Sequence, residues 1–151
     1  MTPLIDITLP IRTYSANHSE HWRARHKRNK DNAKAIRLAL AANSQAVQLL
    51  LNGIRCHELF YDATKLATPL TGLVIEVTRI APRQLDAHDN LRMAMKGIID
   101  TVADYLAPGL KPGMADALFF NYEYKQEKGK PKEYGIRIRI YQKEIAPQNE
   151  T

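Results

Sequence analysis

Hydrophobic and polar positions follow two different periods along this chain, and the changes of period outline its elements. Residues 4–10 (LIDITLP) alternate, with Ile5, Ile7 and Leu9 on one side and Asp6 and Thr8 on the other, and Pro10 ends the strand. A polar stretch dotted with aromatics, residues 11–29, reads as a loop. From Lys30 to Leu51 the apolar residues Ala33, Ile36, Leu40, Val47, Leu50 and Leu51 recur at helical spacing, and Gly53 stops the run. Residues 72–80 (GLVIEVTRI) are rich in β-branched side chains and predict a strand. Leu91, Ala94, Met95, Ile98, Val102 and Leu106 form one stripe of a second helix over 91–106, with Asp89 or Asn90 as its cap. Residues 107–115 (APGLKPGMA) hold two prolines and two glycines and predict a loop. Residues 117–125 and 134–142 predict two further strands, joined by QEKGKPKE as a hairpin. In the last of them Ile136, Ile138 and Ile140 face inward and Arg137, Arg139 and Tyr141 outward.

The element order is therefore β-α-β-α-β-β, with no internal repeat. The simplest way to bury both helical stripes is a single α+β domain over residues 1–151, a mixed sheet with its helices packed on one face and a frayed tail from about residue 144. Residues 54–70 carry no readable period.

Composition adds little until position is considered. The chain has 151 residues, 44% of them hydrophobic, enough for a core of its own. No apolar run is long enough for a membrane span and no signal peptide is evident. A single cysteine, Cys56, cannot form an internal disulfide, which fits a reducing, cytoplasmic setting. The formal charge of +6 suits a polyanionic partner. Much of it is concentrated in Arg23, Arg25, Lys27, Arg28, Lys30, Lys34 and Arg37, against Asp31 alone. Phosphate neutralisation needs such a local cluster.

Candidate chemistry lies in residues 85–100 (LDAHDNLRMAMKGIID). Asp86 and Asp89 stand three apart where a strand feeds a helix, and loop carboxylates converging on a point suit a hard divalent cation such as Mg²⁺. Asp89, Lys96 and Asp100 are seven and four residues apart, on the helix face opposite the apolar stripe. The same spacing fits an ordinary solvated face with a Lys96–Asp100 pair, and Asp89 also fits a plain cap; spacing does not choose between these. Asp116, after the Pro/Gly loop, is a third carboxylate at a strand opening.

Asp89-Asn90, Lys96, Asp100 and Asp116, together with the opening strand ITLP, Ser15-Ala16-Asn17, and His21-Trp22-Arg23, resemble the RusA-like crossover-junction endodeoxyribonucleases of phages and prophages. The likeness spans about residues 5–142, with three departures: the first aspartate of the family's D-x-D-N motif falls on Ala87, beside Asp86, the interval from Asn90 to Lys96 is about three residues longer than in the family's pattern, and its later acidic pair is Ala115-Asp116. The resemblance implies a homodimer that resolves four-way (Holliday) DNA junctions by paired symmetric cuts, with no small-molecule cofactor. It implies Mg²⁺ held by Asp86, Asp89 and Asp116, Lys96 stabilising developing charge, and Asn90 and Asp100 in support. Arg23, Arg25, Lys27, Arg28 and Lys30 would bind DNA phosphates, and Arg79, Arg83 and Arg92 would clamp the strand near the metal. The departures leave a second expectation, a catalytically inactive DNA-binding protein on the same scaffold.

Overall fold

The computed structural model describes residues 2–15, 18–43, 45, 70–85, 89–106 and 120–145. Among them, four strands and two helices share one core. Strand β1 (Ile5–Leu9) is followed by helix α1 (Trp22–Ala42), strand β2 (Leu70–Ala81), helix α2 (Asp89–Leu106), and strands β3 (Phe120–Lys128) and β4 (Gly135–Ile145). The α+β class, the element order and the mixed sheet agree with the sequence. No helix among the described residues is long and apolar enough to cross a membrane.

The sheet order is β1-β4-β2-β3. Strand β4 runs antiparallel to both its neighbours, and β2 and β3 run parallel, joined through α2. The expected hairpin between the last two strands is not formed, because β2 lies between them. Burial explains the order. Ile136, Ile138 and Ile140 of β4 are fully buried and need cover on both flanks, whereas β3 alternates half-buried tyrosines with exposed Glu123, Lys125 and Glu127, a composition suited to an edge. The β3–β4 connection passes over the end of β2, where the Gly129 amide donates to the Ala81 carbonyl at 3.0 Å. Strand β4 also extends further than expected: Ile145 pairs with Leu70, so ordered structure continues past residue 144, and residues 146–151 lie outside the described set.

Register places Ile5, Ile140, Ile75 and Tyr122 in one row and Ile7, Ile138, Val77 and Tyr124 in the next, on the face that the helices cover. Helix α2 adds Leu91, Met95, Ile98, Ile99, Val102 and Leu106, and α1 adds Ile36 and Leu40. Each such side chain contributes about 1.5–3 kcal/mol relative to exposure. The opposite face carries charge in alternating sign across the strands. Asp6 on β1 pairs with Arg139 on β4 at 3.3 Å, Arg139 approaches Glu76 on β2 at 4.0 Å, and Glu76 accepts from Lys125 Nζ on β3 at 3.0 Å. Opposite charges on neighbouring strands hold the pairing in register.

Helix α1 begins at Trp22, eight residues before its expected start at Lys30. The apolar repeat that marks a helix is absent from its first two turns, and no acid occupies the first turn. Instead the His21 ring nitrogen Nδ1 accepts from the Arg23 amide at 3.2 Å and caps the end. The helix closes at Asn43, whose backbone amide donates to the Leu40 carbonyl and whose side chain donates to the Ala39 carbonyl. The expected continuation to Leu51, and Gly53, fall outside the described residues.

Candidate nucleic-acid interface and carboxylate site

The early start of α1 changes what its basic residues are. They belong to a helix, and the helix sorts them into two groups. Arg23, Lys27, Lys30, Lys34 and Arg37 are spaced four, three, four and three apart, which keeps them on one exposed face. This face is opposite Ile36 and Leu40 and runs about 21 Å along the axis. Arg37 at its end also bonds Asp104 of α2 at 2.9 Å, tying the two helices together. The result is a row of exposed cations along one helix face, with Asp31 and Leu38 beside it.

Arg25 and Arg28 point elsewhere. Both bond the carboxylate of Glu20, just ahead of the helix. Burial alone would push that carboxyl up. The hydrogen bond and charge of Arg28, with His18 and Arg25 adding, outweigh it and hold Glu20 below the ordinary carboxylate range. The Arg28 guanidinium also lies 4.4 Å over the Tyr14 ring, which stacks on His18 at 4.3 Å. Of the five sequence-predicted phosphate ligands, then, Arg23, Lys27 and Lys30 present free-standing charge outward. Arg25 and Arg28 are instead neutralised in part by Glu20 and line a cavity of about 360 Å³ between the 12–20 segment, α1 and α2.

The described members of the second group of expected residues lie on α2, which follows β2. Gln126 of β3 clamps the segment leaving β2 at Leu85, donating to the Leu85 carbonyl at 2.7 Å and accepting from the Leu85 amide at 2.8 Å. Replacing Gln126 with leucine leaves both Leu85 backbone groups without that partner. A loss of about 1–3 kcal/mol is expected in chemical unfolding, together with faster hydrogen exchange at the Leu85 amide. An unchanged exchange rate would show that the clamp does not hold this segment.

From there the chain enters α2 at Asp89. Asp86 and His88 lie outside the described residues, as does Asp116, and for Asp89 only the backbone is described. Asn90 opens α2 half-buried, and Lys96 and Asp100 are both exposed on it, opposite the core, where the spacing placed them. No ion pair joins Lys96 to Asp100 among the described residues. Nor does any group of three or more His, Cys, Asp or Glu side chains there come together to hold a metal.

The parallel pairing of β2 and β3 fixes where β3 enters the sheet. Strand β3 starts at Phe120 beside Leu73, at the end of β2 away from Ala81 and α2's first turn.

Arg79, expected near the surface as a strand clamp, is buried instead. It shares the inward side of β2 with Ile75 and Val77, and its Nε donates to Thr13 Oγ1 at 2.8 Å and its Nη1 to the Arg83 carbonyl at 2.7 Å. Burial draws its pKa below the ordinary arginine value, Tyr134 opposing and Arg12 adding to the effect. Arg83 and Arg92 are exposed, as expected. Thr13, Gln126 and Glu20 were not singled out by sequence reasoning; the parity of position 79 with Ile75 and Val77 was the available signal that Arg79 faces inward. Comparison with protein-family models, curated proteins and solved structures finds no match.

Proposed function

We propose that this protein binds nucleic acid along α1 and, on its sequence resemblance, acts as a RusA-like Mg²⁺-dependent endodeoxyribonuclease on four-way DNA junctions, as a homodimer. The observation that carries the binding part is the exposed row Arg23, Lys27, Lys30, Lys34 and Arg37. Cations near a helix start oppose its dipole, so their concentration there has a cost that a polyanion offsets. For the chemistry, Asp89 and Asn90 open a helix at the end of a strand, with Lys96 and Asp100 further along its exposed face. The donor set is of the right kind: carboxylate oxygens suit Mg²⁺, which takes one or two of them and completes its shell with water and phosphate. Asp86, Asp89 and Asp116 would hold the ion, which supplies Lewis acidity at the scissile phosphate. Lys96 would stabilise charge developing there.

The departures at Ala87 and Ala115 favour the second reading, a DNA-binding protein without cleavage, since each leaves the family's carboxylate set one acid short. A labelled synthetic four-way junction separates the two. Paired symmetric nicks that appear only with Mg²⁺ support the nuclease; tight binding with no nicks under any divalent cation supports the inactive binder. Log affinity against log salt is expected to fall steeply, and the Lys27→Ala, Lys30→Ala and Lys34→Ala substitutions together should flatten the slope by roughly 2–3 on duplex DNA. A slope near zero for the wild type would exclude both readings.

A further inference from the structure

A cavity of about 270 Å³ lies beside the end of β2, between the segment Arg12–Ser15 and the segment Pro82–Leu85. Three arginines line it: Arg12, Arg79 and Arg83. Arg79 is only 7% exposed, and both of its described partners, a threonine hydroxyl and a backbone carbonyl, are neutral. Among the described residues no carboxylate pairs with Arg79, Arg12 or Arg83. Arg12 is held by aromatic faces instead, its guanidinium 4.2 Å over the Tyr134 ring and 4.9 Å over the Tyr14 ring. Two guanidinium groups are thus fixed in place around one concave space, one of them buried, with no described counter-charge.

A buried cation without a partner is costly, and two like charges facing one cavity add to the cost. Fixed guanidinium forks match the oxygens of a phosphate group, and the bonds to Thr13 and Arg83 use only two of Arg79's five N–H groups. We propose that this cavity is a phosphate-binding site, with Arg79 and Arg12 as the anion ligands and the Thr13 and Ser15 side chains completing its wall. The phosphate belongs to a nucleic-acid backbone or is free in solution; the first source rests on the proposed function, the second does not. Leu85, which lines the cavity, stands four residues before Asp89 in the sequence.

The test compares thermal unfolding in sodium phosphate and in sodium chloride at matched ionic strength, for wild type, Arg12→Gln and Arg79→Lys. Junction affinity is measured on the same proteins. Phosphate is expected to raise the wild-type Tm above its value in chloride, and Arg12→Gln is expected to lose that increment. Junction affinity should fall about tenfold in each variant, with the salt slope smaller by about one. Loss of the phosphate increment with unchanged junction affinity assigns the site to free phosphate. Equal Tm in phosphate and chloride for the wild type, with Arg12→Gln binding the junction normally, overturns the proposal. Arg12 is exposed, so this arm stands even if Arg79→Lys fails to fold. Absence of Mg²⁺-dependent nicking alongside an intact phosphate increment would sink the nuclease reading alone.

Discussion

Replacing Ile138 with alanine is expected to lower the free energy of unfolding by about 3–4 kcal/mol. Ile138 is fully buried in β4, paired with Ile7 on one side and Val77 on the other. Its neighbours are held by backbone ladders on both flanks, so they cannot close around the vacated space, and the cavity cost adds to the lost transfer energy. Against a typical total of about 5–15 kcal/mol this is a large fraction, equivalent to roughly 6–16 °C in Tm for a domain of this size. Ile138→Val, which removes one methylene, should cost only about 0.5–1.5 kcal/mol. Urea unfolding of the three proteins checks the series. An alanine variant within about 1 kcal/mol of wild type would contradict the central position of β4.

The second large effect concerns activity. Asp89→Asn is expected to abolish Mg²⁺-dependent junction cleavage, by about a thousandfold or more, while leaving junction binding intact or slightly tighter. The substitution suits the purpose because asparagine matches aspartate in size and in helix propensity, so α2 should begin where it does now and stability should change by less than about 1 kcal/mol. The charge on which an Mg²⁺ ion depends is removed with almost no change of shape. Binding is retained because the row on α1 is untouched. A variant that cuts like the wild type would exclude Asp89 as a metal ligand, and with it the nuclease reading as stated.

Several elements were legible because their periods are regular. The alternation of β1, the inward Ile136, Ile138 and Ile140 of β4, and the stripe of α2 all appear where the sequence places them. The start of α1 was not legible, because the first buried residue on that helix is Ile36, four turns in, and the cap is a histidine rather than serine or aspartate. The false hairpin has a different origin. QEKGKPKE does turn the chain, since the Lys130 carbonyl accepts from the Glu133 amide at 3.0 Å, but a turn brings strand ends near each other without deciding which strand each will pair with. Relative burial decides that: β2 takes the place between them, with β4 on its inner flank and β3 at the edge. Among the site residues, the exposed positions of Lys96 and Asp100 followed from helix geometry. The division of the basic residues between an outward row and the Glu20 cluster required the helix to start at Trp22.

The position of β4 also sets when this protein can fold. It is the last described strand, yet it separates β1 from β2. While the ribosome is still working through residues 5–128, β1 has no partner and one flank of β2 is open. At about 5–20 residues per second the nascent chain carries these unpaired edges, with their isoleucines, for several seconds. The sheet can close only after residue 145 has left the exit tunnel, so β1 and the open flank of β2 wait on the last described strand. Chains stopped early, by truncation or a premature stop before residue 135, would then be substrates for chaperones and proteases, not shorter versions of the same fold.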